Sequence, residues 1–396
     1  MNSQHFDIAV IGGAASGASF ALRMARAGWK VAIVEKSAFP RRKVCGEFLS
    51  ATNQPLFKDL GLHEAINDSA GPPVTDVAVF FRENVISSQM PQINGEPLMK
   101  GNALGRDQLD NLLMNRAIEY GTTAFQPARV TGVNVEPGCS TISIKDDSGK
   151  ESLITAPIVV GAHGSWGASN LPSFPQSKKN LPSDLFGFKA YFKDANLKPG
   201  LMPLFVFTGG YGGLVETNDN RLSFSCCVRR DELSKIRKKF AKESPGQAVV
   251  NHVCEIIRGN REAHGGAIVD GKILSTGPIR PGIRKAYTNG IFRVGNAAGE
   301  AHPVIAEGVT LAMQSSWLLS EEWIAAGKDA SQQEVAHSYQ KKWLKCFGTR
   351  VRSSFIFAHL AMNPTTGSVM NLALQACPRL LSYGAALSGK SKVVIR

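Results

Sequence analysis

The chain has 396 residues, 43% hydrophobic and 19% charged, with 39 Gly and 20 Pro; this balance fits one large or two ordinary globular domains and excludes disorder, collagen and a small disulfide scaffold. Its formal charge of +13 is unevenly placed, because no acidic residue follows Glu334 while nine Lys/Arg do. That basic tail suits an anionic partner such as a membrane surface, an acidic protein or a nucleic acid, the last ranked lower since no nucleic-acid reading motif is present.

The polar Met1 to His5 leads straight into Phe6-Asp7-Ile8-Ala9-Val10-Ile11, which reads as a buried strand, so no signal peptide is expected. The seven cysteines are scattered without a C-x-x-C pair. Neither a disulfide framework nor a metal site has the spacing it needs, and a cytoplasmic location is expected.

The first strand runs into Gly12-Gly13-Ala14-Ala15-Ser16-Gly17, then an apolar-periodic helix that stops near Gly28. A second strand, Val31 to Val34, ends on Glu35 and Lys36. Strand, glycine turn, helix, strand and acidic residue in this order form a dinucleotide-binding βαβ unit. The first glycine permits the tight turn, the last lets helix and strand pack closely, and the helix N-terminus offers free N–H groups to a pyrophosphate. Glu35 is placed to hold a ribose hydroxyl pair. Ala14 stands at the usual middle glycine, where its methyl group crowds the pyrophosphate.

From residue 75 the texture turns to short alternating strands, then a helix from about Arg106 to Tyr120 with Leu109, Leu112, Leu113 and Ala117 on one face. A meander follows, turning at Asp146-Asp147-Ser148-Gly149, and a buried strand at Pro157 to Ala162. Residues 184 to 280 read as strands and one basic helix from Asp231 to about Arg261. The chain returns with Gly290 to Gly295 and closes with helices. No apolar run reaches the roughly 18 residues of a spanning helix; Val369 to Leu387 is interrupted by Gln375, Pro378 and Arg379.

Four motifs in this order carry a resemblance: Gly12-x-Ala14-x-x-Gly17 with Glu35; Arg42-Lys43-Val44-Cys45-Gly46-Glu47; Gly161-Ala162-His163-Gly164; and Gly295-Asn296-Ala297-Ala298-Gly299 with Pro303 and Glu307-Gly308-Val309. Nearly the whole chain resembles the FAD-dependent oxidoreductases that include aromatic-ring monooxygenases, flavin halogenases and geranylgeranyl reductases. The resemblance implies an α/β, Rossmann-type FAD-binding domain of the monooxygenase type, with an inserted sheet-rich substrate domain and a helical C-terminus. Its expected limits are 1–175 with 281–330 for FAD binding (including a meander around 75–100), 176–280 for substrate, and 331–396 for the basic helices. The cofactor set it implies comprises the glycine turn, Glu35, Lys36, Arg42, Cys45, Gly46, Arg106, Gly295, Asn296, Pro303, Gly308 and Val309. Cys45, His302 and Glu307 are its candidate catalytic residues.

The family has Gly, Asp and Asp where this chain has Ala14, His163 and Asn296. Asn296 can still accept a ribityl hydrogen bond through its amide oxygen, whereas His163 alters the pair that serves NADPH in the monooxygenases. NAD(P)H as a transient donor is therefore an expectation of the resemblance, alongside FAD. Halogenase chemistry is disfavoured, because W-x-W-x-I-P is missing. The expected activity is a monooxygenase or a double-bond reductase acting on a lipophilic, polyketide-like or prenyl-like small molecule, with Phe205, Phe207, Tyr211 and Phe224 lining its pocket. A non-catalytic flavin-binding scaffold is the alternative of another class. The aromatic and basic mixture around Trp343, Phe347, Phe355 and Phe357 suits contact with an anionic membrane.

Overall fold

A computed structural model describes residues 3–91, 100–165 and 180–390. The strands Ile8–Ile11, Val31–Val34 and Ile158–Gly161 are apolar and buried at every position, as parallel strands covered on both faces must be. They sit inside a six-stranded sheet ordered Tyr287–Thr288, Ile291–Arg293, Ile158–Gly161, Ile8–Ile11, Val31–Val34, Thr123–Phe125, parallel except at the Tyr287 edge. One face carries the helices α1 (Ala15–Arg26), α4 (Arg106–Glu119) and α8 (Gly308–Ala326). Two short helices, α2 (Gln54–Asp59) and α3 (His63–Ser69), lie before α4. A four-stranded sheet packs through Ile142, Ile144 and Ile154 on the other face. Its hairpin turns where expected, with Gly149 at φ +86° and Asp146 accepting the Lys150 N–H at 2.9 Å.

A second sheet of eight strands is built mainly from Leu185–Lys193, Arg221–Arg229, Gly210–Thr217 and Leu201–Phe207. The hairpin Asp76–Phe81 and Asn84–Gln89 joins its edge through parallel pairing of Leu201 to Phe205 with Asp76 to Phe80. The sequence reading assigned those residues to the FAD-binding part, because a pairing between residues 76–80 and 201–205 leaves no local signal. The expected boundary at 175–176 lies outside the described residues. The single basic helix expected from Asp231 is three: α5 (Arg230–Lys239), α6 (Pro245–Ile256) and α7 (Arg258–Ala263). Pro245 can only begin a helix there, and Ser244 caps it by accepting the Gln247 N–H.

Phe205, Phe207 and Phe224 point to the α6 side of this sheet, packed with Val249, Val250 and Val253. Phe205 and Phe224 are core, not pocket lining, which corrects the sequence reading, whereas Phe207 also borders a small cavity at the end of its strand. Tyr211, one residue out of phase with them, faces the other way, toward the FAD-binding part.

The C-terminal helices are α9 (Gln332–Trp343), α10 (Thr349–Met362), α11 (Pro364–Ala376) and α12 (Arg379–Ala385). Trp343 and Phe347 are fully buried, so they are absent from the basic surface the sequence assigned them to. Trp343 presses on Gly299, where any side chain would overlap its ring. No described helix is long and apolar enough to cross a membrane.

Candidate functional site

The turn after the first strand is shaped by contacts that only glycine permits. Gly12 sits at φ +105°, and a Cβ there would lie 2.6 Å from the Ala162 carbonyl oxygen; one at Gly17 would overlap the Gly12 carbonyl. Ala14 is the N-cap of α1 and supplies no side-chain bond, and Ala15, Ser16 and Gly17 form the first turn, whose N–H groups precede the helical ladder. Glu35 is buried at its strand end, accepting the N–H groups of Gly13 and Ser37, both at 2.9 Å. Lys36 beside it is exposed.

Asp110 on α4 organises the positive side of this turn. It accepts the Ala15 N–H at 3.1 Å, Arg106 through Nε and Nη2 at 2.7 to 3.0 Å, and Arg41 Nη1 at 3.1 Å. The fixed fork of Arg106 is what makes the bidentate grip possible. Lys43 stands exposed beside the same place, and desolvation, then Arg106, pulls its ammonium down to about 8. Three cations and a helix N-terminus converge there.

Arg42, expected at the cofactor, turns the other way. It donates to the Asp270 carboxylate at 2.7 Å and carbonyl at 2.6 Å and lies over the Tyr191 ring. Consecutive side chains in an extended segment point to opposite sides, so only one of Arg41 and Arg42 can face the turn. Cys45 is half-buried, accepts the Glu47 N–H at 3.4 Å and interacts with Arg106. Gly46 approaches the second sheet, its absent Cβ position lying 3.6 Å from Ser225 Oγ.

At the other end, Gly295 takes φ +60° and donates its N–H to Ser315 Oγ at 2.8 Å. The Asn296 amide donates to Ser165 Oγ and to Glu300 Oε1, both at 3.0 Å, which leaves Oδ1 as its free acceptor function. Glu300 is buried, its carboxyl raised by burial against the opposing pull of Arg284, 3.6 Å away. Glu300 thus brings a carboxyl group beside Asn296 from four residues later. Burial, then Arg293 and Arg284, pushes His163 to about 3, so its imidazole is neutral near pH 7. Pro303 opens a short 3₁₀ turn, and α8 begins at Gly308, beyond whose Cα lies open space. Val309 follows, buried, in a first turn without acidic residues. The one acid next to that turn, the N-cap Glu307, is engaged by Lys390 and Arg350.

Glu307 is not presented to that space. It is buried between Lys390 Nζ at 3.3 Å and Arg350 Nη1 at 3.9 Å, and Lys390 also donates to the Ile305 carbonyl at 2.5 Å. This carboxylate anchors the end of the chain to the start of α8.

Two networks on the second sheet face the cofactor side. Lys189 and Glu47 form a fully buried ion pair at 2.8 Å; Tyr191 donates to the same carboxylate, and Lys189 to Ser223. Burial first, and then Glu47, raises the Tyr191 phenol. Sequence inspection quoted Glu47 without a role and passed over Lys189, although a lysine in the apolar run Phe186 to Phe192 already demanded a partner. The second network joins Tyr211 Oη to His302 Nδ1 at 2.8 Å, with Cys227 on the far side of the phenol. Burial, then His359, lowers His302 to about 4. His302 also donates its N–H to Ser354 Oγ at 2.9 Å.

This arrangement fits FAD. Glu35 would hold the ribose, the first turn of α1 with Arg41, Lys43 and Arg106 the pyrophosphate, Asn296 Oδ1 the ribityl chain, and the start of α8 would face the ring. A parallel βαβ sheet carrying such a cradle, with a second sheet over it, defines a flavoprotein oxidoreductase. The FAD binding domain family matches residues 5–352, and the chain belongs to it. Among curated relatives, conditioned medium factor receptor 1 of Dictyostelium discoideum is 26% identical, over 97% of this chain and 74% of that one. Digeranylgeranylglycerophospholipid reductase 1 of Methanococcoides burtonii is 21% identical, over 93% and 87%. The solved flavin-dependent brominase Bmp2 superposes with a TM-score of 0.80 at 18% identity, over 98% and 94%. At that identity the likeness shows the fold alone.

Proposed function

We propose that this FAD-dependent oxidoreductase acts on a lipophilic small molecule, polyketide-like or prenyl-like, seated between the FAD-binding part and the inner face of the second sheet. The observation that carries this reading is the make-up of that face. Ser225 and Gly213 leave room opposite Gly46, and beside them Tyr211 reaches His302, the residue before Pro303. Small residues beside two convergent polar networks, Lys189–Glu47–Tyr191 and Tyr211–His302, leave room for a small-molecule substrate, and the relatedness to archaeal lipid reductases favours a lipophilic one. Bound FAD supplies the redox chemistry, as oxygen activation or as hydride delivery to a double bond. Tyr211 keeps its proton and donates it in a hydrogen bond to neutral His302 Nδ1, which orients the phenol toward the substrate.

The reductase form is favoured by Cys45, held beside Arg106 and next to the small face, and by the relatedness to archaeal lipid reductases. The reading includes NAD(P)H as transient donor, peripheral contact with an anionic membrane and no nucleic-acid partner.

An anaerobic titration with NADPH and NADH, following the visible flavin band, tests it. Bleaching that accelerates with a prenyl or polyketide probe is the expected result, and readmitted air separates oxygen from hydride chemistry. Acceleration by a small polar phenol alone would overturn the substrate class. Purified protein that is colourless and takes up no FAD would instead support the scaffold alternative.

A further inference from the structure

The last three helices are inside out. On α10 the inward positions are Val351, Ser354, Ala358 and Ala361, mostly small, while Phe355, Ile356, Phe357 and Leu360 are exposed by 39%, 65%, 39% and 43%. On α11 the buried residues are Gly367 and Asn371, one turn apart, and Val369 and Leu372 point out, 62% and 64% exposed. On α12 and the turn after it, Leu380, Tyr383 and Leu387 are exposed. Nine of the seventeen large apolar side chains exposed among the described residues lie in this stretch. Scattered exposed leucines are ordinary; a concentration of this kind marks a surface that is covered in use.

The charge pattern says by what. No Asp or Glu occurs after Glu334, so these helices carry no negative side chain. Arg352 stands one turn before Phe355 and Ile356, and Arg379 one turn before Tyr383, both exposed. Bulky apolar residues flanked by cations with no acids match an anionic lipid surface, with the apolar groups at acyl depth and the guanidinium groups among headgroups. A protein partner or a second copy would have to cover the same area without any carboxylate on this side for its own cations.

The face also leads inward. Phe355, exposed on one side, packs its ring edge-on against His302 at 5.7 Å on the other. Where α10 meets α11, a cavity of about 110 Å³ is lined by Phe81, Val206, Phe207, Ile257, Ala361 and Met362. Val206 is the cross-strand partner of Tyr211 and shares its side of the sheet. We propose that the outer face of α10, α11 and α12 docks on an anionic bilayer, which places Phe355 and this cavity at the lipid surface as the mouth of the site. The proposal rests on the lipophilic-substrate reading only for the use of that mouth; docking itself needs no turnover.

The test is sedimentation of the full-length flavin-loaded protein with vesicles of phosphatidylcholine, alone or with phosphatidylserine. Binding to the serine-containing vesicles is expected, weakened by high salt. Ile356→Ser with Leu372→Ser should lower partitioning at least about tenfold, and Arg352→Glu with Arg379→Glu about tenfold for anionic vesicles alone. Ile268→Ser, at an exposed apolar site on the second sheet, should bind as the parent does. An unchanged flavin spectrum and melting temperature certify that each variant is folded. No vesicle binding, or binding that both double variants retain, would overturn the proposal. So would self-association without lipid that Ile356→Ser with Leu372→Ser abolishes, which would assign the face to a second copy. Either failure leaves the flavin titration untouched.

Discussion

Lys189 has no exposed side-chain surface, and neither does Glu47, which it meets at 2.8 Å. Two charges so placed hold each other only while both are present, because desolvation of the survivor is not offset. Lys189→Met is therefore expected to cost about 3–5 kcal/mol, and Lys189→Met with Glu47→Gln to recover most of it; urea unfolding midpoints measure both. Glu47 sits at φ +63° directly after Gly46, so the single variant should also loosen the segment bearing Cys45 and lower FAD retention. Lys43 makes a different demand. Its ammonium is lowered to about 8 beside Arg106 and Arg41, so it is charged below that pH and neutral above it. Its contribution to pyrophosphate binding is present at pH 7 and lost as pH rises through 8. FAD affinity, read by fluorescence quenching, is expected to be weaker at pH 9 than at pH 7. Lys43→Met should weaken it about 10- to 100-fold at pH 7 and remove most of the difference between the two.

Among elements, the strand, turn and helix from Ile8 to Arg26 were legible because each rule pointed the same way: an uninterrupted apolar strand, glycines at the contact points and a helix stripe. Gly17 shows how tightly that unit is drawn. Gly17→Ala would force a methyl into the Gly12 carbonyl oxygen and push α1 off the sheet, so the variant is expected to purify without flavin colour. The C-terminal helices were legible as helices but not in orientation. Periodicity locates an apolar stripe without saying which side meets the core, and here Ser354, Ala358 and Asn371 face in while Ile356 and Leu372 face out. The same limit put Phe205 and Phe224 on the wrong side of their sheet. Arg42 and Arg41 were a choice between neighbours that only the partner, Asp270 or Asp110, could decide.

Across the whole molecule, what escaped the sequence was long-range pairing: the hairpin at residues 76–89 on the second sheet, Lys189 meeting Glu47, and Lys390 reaching Glu307. These contacts join segments that have no local reason to meet. They also bury several groups whose ionisation links folding to pH. Burial lowers His302 to about 4 and His163 to about 3 from an ordinary 6.5, and moves His264 and His252 in the same direction. As pH falls below 6.5 the unfolded chain takes up protons on these imidazoles while the folded one does not. Stability is therefore fully present above 6.5 and is lost progressively toward 4, by about 3 kcal/mol for His302 alone. Lowered carboxylates such as Asp7 and Asp184 act separately, since their contribution falls away only below their ordinary 3.8. Thermal melting between pH 7.5 and 4.5 should thus show a decline that begins well above the carboxylate range. His302→Asn, which keeps an acceptor for Tyr211, is expected to make that decline shallower; a limb of unchanged slope would mean that His302 is not held neutral in the folded protein.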